Sequence, residues 1–572
     1  METTSVVDSY PLSLLWPDGI VPAPGTFNLC DESTIQDLDL DDLARALAPK
    51  ADQLEGLKTI LMTLVADPTI ITYRHEVLDD LLSSPDLVMC FQNLLPQLGE
   101  ISRLSGPQRQ AQTPLQQVLW RLGELEMYVE CIKQLQQALV NTTEELQSKG
   151  LLALQRWVQD TFASESFRAL AEELPAMRHQ VAGIKSLTIG INLDAQLRPI
   201  GAMLLDIRDE EFVERTLLDK LLKRQSEQQG IAVMHSMPPP PRNLPGRAAF
   251  SGMSGDNSQP LMHPLFRDVN TVMMHAARPV ADALQRYLQT NARALVVLEQ
   301  ELVFYLGAVR LVHKVRSWGL PMCKPEIVVR EERTCQLTGN YNLSLVLRLG
   351  DRGQNANLTQ EIVSNNVDFN DSGRIFILTG PNRGGKTTYT QAVGQTQVLA
   401  QAGLFVPATR ACLSPVEGVF THFPAAEKAT QERGRLGEEA KRLSAIFGQA
   451  TRYSLVLLNE SLFSTSPGES LYLARDVVAA LRLLGTRAIY ATHLHELAEN
   501  LDGLNSMPGV STVVSLVAGV AEEDDEISAR STYVIQPGPP RGRSYARAIA
   551  ARYGISYEKL TETLRQRGHL GD

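Results

Sequence analysis

A glycine-rich loop between an apolar run and a helix-forming stretch constrains the fold of this chain more than any other feature. Residues 374–378 are strand-like and nearly all apolar, and the loop after them opens a predicted helix. Glycines let backbone N–H groups approach phosphate oxygens closely, and a helix N-terminus favours an anion. The loop matches the P-loop spacing Gly-x4-Gly-Lys-Thr, as Gly380-Pro381-Asn382-Arg383-Gly384-Gly385-Lys386-Thr387.

Each part of this loop has an expected role toward a nucleoside triphosphate. Lys386 would neutralise charge on the β- and γ-phosphates, and the Thr387 hydroxyl would ligate Mg²⁺. ATP and Mg²⁺ are therefore the predicted cofactors. A chance match is the alternative, and the strand–loop–helix context argues against it. The predicted nucleotide-binding residues are Gly380, Pro381, Asn382, Arg383, Gly384, Gly385, Lys386, Thr387 and Thr388.

The segments on both sides of the loop alternate between strand-like and helix-like patterns. Residues 454–458 and 487–491 are further apolar runs of strand length, typical of strands buried on both faces of a parallel sheet. Helices are predicted between or beside these strands at 387–402, 435–450 and 468–484. The alternation predicts an α/β nucleotide-binding domain in the C-terminal part of the chain.

The N-terminal part is predicted to be mainly helical. Within residues 34–105, four apolar residues repeat at helical spacing, namely Leu57, Ile60, Leu61 and Leu64. Asp67-Pro68 is the predicted end of that helix. Amphipathic helices are predicted over 112–180 and one long helix over 278–318, with apolar stripes that suit a bundle core better than a ligand site. Residues 235–260 are proline-rich and predict an exposed linker, with docking of a partner as the alternative.

Polar residues follow two of the predicted strands directly. Asn459 and Glu460 end the run 454–458, a position that usually carries a magnesium partner and the base that orients the attacking water. Glu460 is the candidate general base, and Thr387, Asn459 and Glu460 are the candidate metal ligands. His493 follows the next strand and could contact the γ-phosphate, whereas His495 is predicted to be structural. An ordinary strand-end carboxylate and a structural histidine are the alternatives.

Composition excludes several classes of protein. No run of roughly 18 apolar residues is present, so no membrane span is expected. The N-terminus Met1-Glu2-Thr3-Thr4 lacks the basic start and apolar core of a signal peptide. The six cysteines include no Cys-x-x-Cys pair, so neither a zinc site nor a disulfide framework is indicated. A reducing cytoplasm is the expected location.

Several motifs together resemble the MutS-type mismatch-repair ATPases. Asn382 and the paired Gly384-Gly385 make the loop similar to the P-loop of that family rather than to that of transporter ATPases. Similar segments follow in the family's order and spacing across residues 360–557. They are Gly403-Leu404-Phe405-Val406-Pro407-Ala408, Tyr453-Ser454-Leu455-Val456-Leu457-Leu458-Asn459-Glu460, Thr465-Ser466, Ala491-Thr492-His493, Glu496-Leu497, Ser544-Tyr545-Ala546 and Gly554-Ile555.

The helical part resembles the same family more loosely. Residues 188–194 look like a hairpin strand of the family's core domain, and residues 299–326 look like its lever helix returning to the ATPase domain. The implied fold is multidomain, an α-helical core and lever region followed by an α/β P-loop (ABC-type) ATPase domain. The implied domains are residues 1–110 as the first part of the core domain, 111–325 as the lever region with a reduced clamp at 235–260, and 326–572 as the ATPase domain.

The resemblance implies an ATPase that couples ATP binding and hydrolysis to clamping on DNA. The implied partners are mismatched or branched double-stranded DNA and a second copy of the chain, joined through the ATPase domains as a homodimer. Mismatch repair or a related DNA transaction is the expected role. The expected location is cytoplasmic, and nucleoid-associated when the protein is on DNA.

Some residues depart from the family pattern. The N-terminal mismatch-reading domain is expected to be absent, and Phe212-Val213-Glu214 is expected to match its Phe-x-Glu wedge by coincidence. Gly434 stands where the family has a serine that reaches the partner's γ-phosphate. Arg433 or Arg435 could supply charge across the dimer instead, with a solvated basic pair as the alternative. Asn459 replaces the usual acidic residue, so slow hydrolysis is an open expectation.

Two other functions are alternatives to this one. A formal net charge of −11 argues against coating nucleic acid by bulk electrostatics, although phosphate contacts depend on local charge. The main alternative is a nucleotide-gated dimeric scaffold that binds ATP and a protein partner without mismatch recognition, which the expected absence of the reader domain, the reduced clamp and the acidic balance favour. A transporter ATPase subunit is disfavoured because the chain has no Leu-Ser-Gly-Gly-Gln signature.

Overall fold

A computed structural model describes most of the chain in segments. The described residues are 12–19, 22–23, 25–48, 50–105, 114–141, 145–182, 186–197, 199–208, 210, 213–214, 229–230, 278–284, 286–287, 293–352, 358–424, 435–521, 530–540 and 553–567. The predictions for the proline-rich segment 235–260, for Phe212, for Arg433 and Gly434, and for Ser544-Tyr545-Ala546 lie outside these residues.

The chain divides into two compact units. The first comprises residues 1–88, 144–152 and 300–572, and the second comprises residues 89–143 and 153–299. The domain limits predicted from the sequence, at 110 and 325, stay predictions. Within the described residues, no helix is long and apolar enough to cross a membrane.

Helices dominate the described residues up to 182. Two short strands, β1 and β2, form an antiparallel pair, and the hairpin β3–β4 follows the last helix of this stretch. The helices are α1 (Glu32–Asp37), α2 (Leu40–Leu47), α3 (Leu54–Met62), α4 (Pro68–Ser83), α5 (Pro85–Ser105), α6 (Pro114–Asn141), α7 (Lys149–Ala163) and α8 (Glu165–Ala182). The strands are β1 (Asn28–Leu29), β2 (Thr63–Leu64), β3 (Ser186–Leu193), β4 (Pro199–Arg208), β5 (Val213–Glu214) and β6 (Gln229–Gly230). The hairpin strand predicted at 188–194 is therefore confirmed.

The predicted end of the helix that carries Leu57 is wrong. Helix α3 ends at Met62, because Thr63 and Leu64 leave the helix to pair with strand β1. The Asp67 carboxylate accepts a hydrogen bond of 2.8 Å from the backbone N of Thr69, and Pro68 occupies the first turn of α4. Asp67-Pro68 is thus the N-cap and first residue of the next helix, the arrangement that both residue types favour.

The single long helix predicted over 278–318 is also wrong in part. Residues 278–284 are helical, residues 286–287 form a turn, and helix α9 runs from Arg293–Ser317. At the turn, Tyr287 N donates to the carbonyl of Leu284, three residues back. The Tyr287 carbonyl accepts a hydrogen bond of 2.8 Å from Nη2 of Arg121, which satisfies it outside a helical ladder.

A six-stranded sheet forms the centre of the C-terminal part. Its order is β12-β13-β14-β10-β15-β16, with neighbouring strands parallel except for the antiparallel edge strand β16. The strands are β10 (Ile375–Thr379), β12 (Val419–His422), β13 (Leu455–Asn459), β14 (Arg487–Ala491), β15 (Val513–Ala521) and β16 (Arg530–Pro537). A second sheet has the order β7-β11-β8-β9, from β7 (Glu326–Ile327), β8 (Cys335–Asn340), β9 (Asn365–Phe369) and β11 (Arg410–Leu413).

Helices cover the sheet as the sequence predicts. Every residue of β10, β13 and β14 is buried, which explains their continuous apolar composition. The helices are α10 (Leu343–Gly350), α11 (Leu358–Glu361), α12 (Lys386–Ala402), α13 (Arg435–Gln449), α14 (Pro467–Leu484), α15 (His495–Glu499), α16 (Leu501–Ser506) and α17 (Tyr557–Gln566). Helices α12, α13 and α14 confirm the three predicted from the sequence, each within one residue at either end.

Helix α12, which follows the glycine-rich loop, is enclosed on almost all sides. Three of its glutamine side chains, Gln391, Gln395 and Gln401, donate to backbone carbonyls of the N-terminal segment, and of these Gln391 is half-buried and the other two are buried. Gln391 Nε2 donates to the Asp37 carbonyl at 2.8 Å, and Gln395 Nε2 donates to the Leu38 carbonyl at 2.9 Å. Gln401 Nε2 donates to the Val65 carbonyl at 2.9 Å. These buried amide contacts fix the helix, and hence the loop at its start.

Candidate nucleotide-binding site

The glycines of the loop are required by close packing. Gly380 has φ 148°, and a Cβ there would lie 2.6 Å from Cβ of Ala518 on the neighbouring strand β15. Gly385 has φ 89° and lies at the start of α12, where a Cβ would meet the ring of Tyr533 at 3.3 Å. Arg383, at the exposed crest of the loop, also has a left-handed backbone with φ 61°. The loop is therefore a tight structure that admits little besides glycine at positions 380 and 385.

Lys386 is the first residue of helix α12, and its ammonium group lies beneath the loop. Nζ donates to the carbonyl oxygens of Gly380 and Pro381 at 3.0 Å each, and lies 3.4 Å from Nε2 of His493. The side chain is buried, and burial lowers the pKa of Lys386 to about 8, an effect partly offset by the charge of Glu460. A cation at a helix N-terminus, inside a glycine loop, can hold an anion such as phosphate.

Two neutral oxygen donors meet beside this lysine. The Thr387 hydroxyl donates a hydrogen bond of 3.2 Å to Oδ1 of Asn459, the last residue of β13. Thr387 is exposed and Asn459 is buried. Hydroxyl and amide oxygens suit a hard cation such as Mg²⁺, so this donor pair fits the ion, directly or through water. Neither group brings a charge, and the adjacent Glu460 carboxylate is the nearby anion.

Glu460 and His493 form a close pair at the ends of neighbouring strands. Oε1 of Glu460 lies 2.8 Å from Nε2 of His493. The hydrogen bond from His493 lowers the pKa of Glu460, and the charges of His493 and Lys386 add to that effect against the opposing effect of burial. Glu460 also has a left-handed backbone with φ 49°. A non-glycine residue in this region costs about 1–3 kcal/mol, which the surrounding contacts must offset.

The structure thus brings together the residues predicted at the loop and at two strand ends. The carboxyl ends of the parallel strands β10, β13 and β14 share one edge of the sheet. The site residues therefore meet at this edge, namely the glycine loop, Lys386, Thr387, Asn459, Glu460 and His493. Within the described residues, no cluster of three or more His, Cys, Asp or Glu side chains forms a separate metal site.

Other predicted residues take part less directly. The backbone carbonyl of Thr388 accepts a hydrogen bond of 3.3 Å from Nδ2 of Asn342. His495 begins helix α15, and its Nδ1 is buried without a hydrogen-bond partner among the described residues. Burial also lowers the pKa of His495. Arg435 is the first residue of α13, and its role across a dimer stays a prediction.

Tyr533 is a site residue that sequence reasoning missed. It lies on strand β16 with φ 59°, and its ring is next to Gly385. The Asn365 side chain fixes this part of the strand with two hydrogen bonds. Its Nδ2 donates to the Tyr533 carbonyl at 3.1 Å, and its Oδ1 accepts from the backbone N of Ile535 at 2.6 Å. The ring is half exposed, so an aromatic surface faces solvent beside the loop. Tyr533 lies close to the glycine loop because of the order of the strands in the sheet, and no local sequence pattern indicates this order.

Comparisons with known families place the two parts of the chain in one family. The model of the MutS2 N-terminal domain matches residues 66–318, and the model of MutS domain V matches residues 376–563. The helical part and the mixed α/β part together define a multidomain protein of MutS-like architecture. The chain belongs to the MutS family.

Individual relatives agree with this assignment. A DNA mismatch repair protein MutS of Chlorobium limicola is 36% identical over 166 residues, which is 29% of this chain and 18% of that protein. An endonuclease MutS2 of Thermus thermophilus is 31% identical over 203 residues, 36% of this chain and 26% of that protein. A DNA mismatch repair protein MutS 2 of Halobacterium salinarum is 40% identical over 143 residues, 25% of this chain and 17% of that protein. The match covers about a quarter or less of each relative.

Proposed function

We propose that this chain is an ATP-dependent DNA-binding protein of the MutS type that hydrolyses ATP and uses the ATP cycle to clamp on DNA. The convergence of Lys386 and the Glu460–His493 pair at one edge of the sheet is the observation that carries this proposal. Membership of the MutS family and the names of its relatives support it. The proposed domain limits remain those predicted from the sequence.

The triphosphate of ATP would occupy the loop over residues 380–388. Backbone N–H groups of the loop and the Lys386 ammonium would bind its phosphate oxygens. Tyr533 would contact the base or the ribose, because its half-exposed ring borders Gly385 at the loop. Mg²⁺ would be held by Thr387, Asn459 and Glu460 and would supply charge compensation at the β- and γ-phosphates.

Glu460 is the proposed general base. Its carboxylate would accept the proton of a water molecule that attacks the γ-phosphorus, and the bond from phosphorus to the β–γ bridging oxygen would break. Its lowered pKa keeps the carboxylate ionised at neutral pH. His493 holds the carboxylate through Nε2 and lies within reach of Lys386, so it is placed to respond when the γ-phosphate leaves.

DNA binding and dimerisation complete the proposal. Two copies would join through their α/β parts as a homodimer, and the helical region would grip mismatched or branched double-stranded DNA. The proposed location is the cytoplasm, with nucleoid association on DNA. Turnover is proposed to be slow, since Asn459 brings no charge to the magnesium position.

A nucleotide-gated scaffold is the second candidate. The neutral Asn459 and the net charge of −11 favour it, because both weaken the case for fast hydrolysis and for bulk DNA binding. In this alternative the dimer binds ATP and recruits a protein partner without recognising a mismatch.

One experiment separates the two candidates. Phosphate release is measured for the purified protein alone and with plain, mismatched and branched duplexes, and binding of each DNA is measured by anisotropy at roughly 50 mM and 200 mM salt. The proposal expects DNA binding that weakens with salt and turnover that changes on DNA. ATP binding without affinity for any of the duplexes at the lower salt would favour the scaffold.

A further inference from the structure

The short loop after strand β13 has an unusual backbone. Glu460 and Leu462 both adopt left-handed conformations, with φ 49° and 65°, and neither is a glycine. Such conformations persist where neighbouring contacts fix them. The backbone of this loop determines where the Glu460 carboxylate lies, so the contacts that hold the backbone bear on the chemistry of the site.

Three hydrogen bonds fix this loop from two neighbouring elements. The backbone N of Glu460 donates to the Ala491 carbonyl at 2.8 Å. The Tyr490 hydroxyl donates to the Ser461 carbonyl at 2.9 Å, and the Ser470 hydroxyl donates to the Leu462 carbonyl at 2.7 Å. Consecutive loop carbonyls are therefore bound by side chains from β14 and from α14.

Tyr490 is the more informative of these two side chains. It is the last residue but one of the buried strand β14, is 0% exposed, and packs in the apolar core below the site. The same strand leads directly to His493, which binds the Glu460 carboxylate. One buried phenol thus joins strand β14, which ends two residues before His493, to the loop that begins at Glu460.

We propose that the Tyr490 hydroxyl is a positioning group that holds Glu460 in the orientation needed to accept a proton from the attacking water. This inference rests on the proposed ATPase function. A phenylalanine would keep the buried ring and leave the Ser461 carbonyl without this donor. The backbone at Glu460 and Leu462 could then relax out of its left-handed conformation, and the carboxylate would move away from the γ-phosphate.

The test compares Tyr490→Phe with a matched control, Tyr341→Phe. Tyr341 is also buried, and its hydroxyl donates 2.8 Å to the Pro321 carbonyl, outside the site. Each variant loses one hydrogen bond from a hydroxyl to a backbone carbonyl, and the volume of its side chain changes little. Single-turnover hydrolysis and the Kd for ATP are measured for both variants and for the unchanged protein.

The expected result is a split between chemistry and binding. Tyr490→Phe should hydrolyse bound ATP about 10- to 100-fold more slowly, because small misplacements of a reacting group have effects of that size. Its Kd for ATP should stay within about twofold, and Tyr341→Phe should match the unchanged protein in both quantities. Equal rates for Tyr490→Phe and the unchanged protein, or equal losses in the two variants, would overturn the inference.

Hydrogen exchange of the backbone around residues 460–464 provides a readout that does not depend on turnover. Tyr490→Phe should accelerate exchange in this loop, and Tyr341→Phe should leave it unchanged. Unchanged exchange in Tyr490→Phe would contradict the positioning role. If the unchanged protein bound ATP without hydrolysing it, the proposed function would fail by itself, and the exchange result would still decide whether Tyr490 holds the loop.

Discussion

Nε2 of His493 lies 2.8 Å from Oε1 of Glu460, so two strand ends of the parallel sheet are joined by one side-chain hydrogen bond. The same nitrogen lies 3.4 Å from Nζ of Lys386. With a proton on Nε2, His493 can donate to the carboxylate; without it, Nε2 can accept from the ammonium group. The histidine therefore links the Glu460 carboxylate to the Lys386 ammonium group beneath the glycine loop.

The Glu460–His493 pair gives stability a defined pH dependence. The pKa of Glu460 in the folded protein is below its ordinary value of 4.5. The ionised carboxylate therefore stabilises the folded protein at pH values above 4.5, and this stabilisation is lost as the pH falls through the lowered pKa. The group is partly solvated, so we expect a contribution of less than about 1 kcal/mol. The difference in unfolding free energy between the unchanged protein and Glu460→Gln should be constant from neutral pH to about pH 5 and should change below it. A difference that instead changes between pH 6 and 8 would contradict this assignment.

Lys386 predicts proton uptake when ATP binds at alkaline pH. The pKa of its ammonium group is lowered to about 8 by burial, and triphosphate charge would raise it again. At about pH 8.5, binding should take up roughly half a proton or more per ATP. Calorimetry in two buffers of different ionisation enthalpy measures this uptake directly. A binding enthalpy that does not depend on the buffer would contradict this prediction.

A negative charge in place of the neutral Asn459 side chain is expected to strengthen magnesium binding. In Asn459→Asp a carboxylate would face the Thr387 hydroxyl, so the magnesium concentration for half-maximal turnover should fall about tenfold. Asn459 is buried, so the variant should also lose stability when Mg²⁺ and nucleotide are absent. Turnover is measured across a magnesium titration, with Asn505→Asp on helix α16 as the control. An equal magnesium requirement in all three proteins would remove Asn459 from the metal site.

Gly403 caps the end of helix α12, and we expect that adding one methyl group there lowers the stability of the protein strongly. It has φ 91°, and a Cβ there would lie 2.3 Å from Cβ of Arg74. Gly403→Ala should therefore destabilise the protein by about 3 kcal/mol or more. Gly437, in helix α13, has no neighbour within 4 Å of an added Cβ, so Gly437→Ala should be neutral or stabilising by about 0.5 kcal/mol. Thermal unfolding of both variants tests the contrast, which similar midpoints would contradict.

Much of the sheet could be predicted from the sequence because its strands are buried on both faces. The apolar runs at β10, β13 and β14 leave little ambiguity, and the glycine loop requires a strand before it and a helix after it. Parallel order then places the ends of these strands at one edge, which is why Glu460 and His493 could be assigned to the site together.

Contacts between distant segments could not be predicted in this way. Tyr533 reaches Gly385 through the order of strands in the sheet, and Tyr490 reaches the Ser461 carbonyl from inside a strand that reads as ordinary core. The turn at 286–287 accompanies a hydrogen bond from Arg121, far away in the sequence. Hydrophobic periodicity indicates on which face of a helix or strand a residue lies. It carries no information on which other element packs against that face.

Phosphate release by Glu460→Gln tests the central claim most directly. The variant keeps the size of the side chain and replaces the proposed base by an amide, so turnover should fall at least about 100-fold while the Kd for ATP stays within about threefold. Glu499→Gln, an exposed glutamate at the end of helix α15, is the control and should behave as the unchanged protein does. Turnover by Glu460→Gln equal to that of the unchanged protein would contradict the assignment of this site as an ATPase centre with Glu460 as its base.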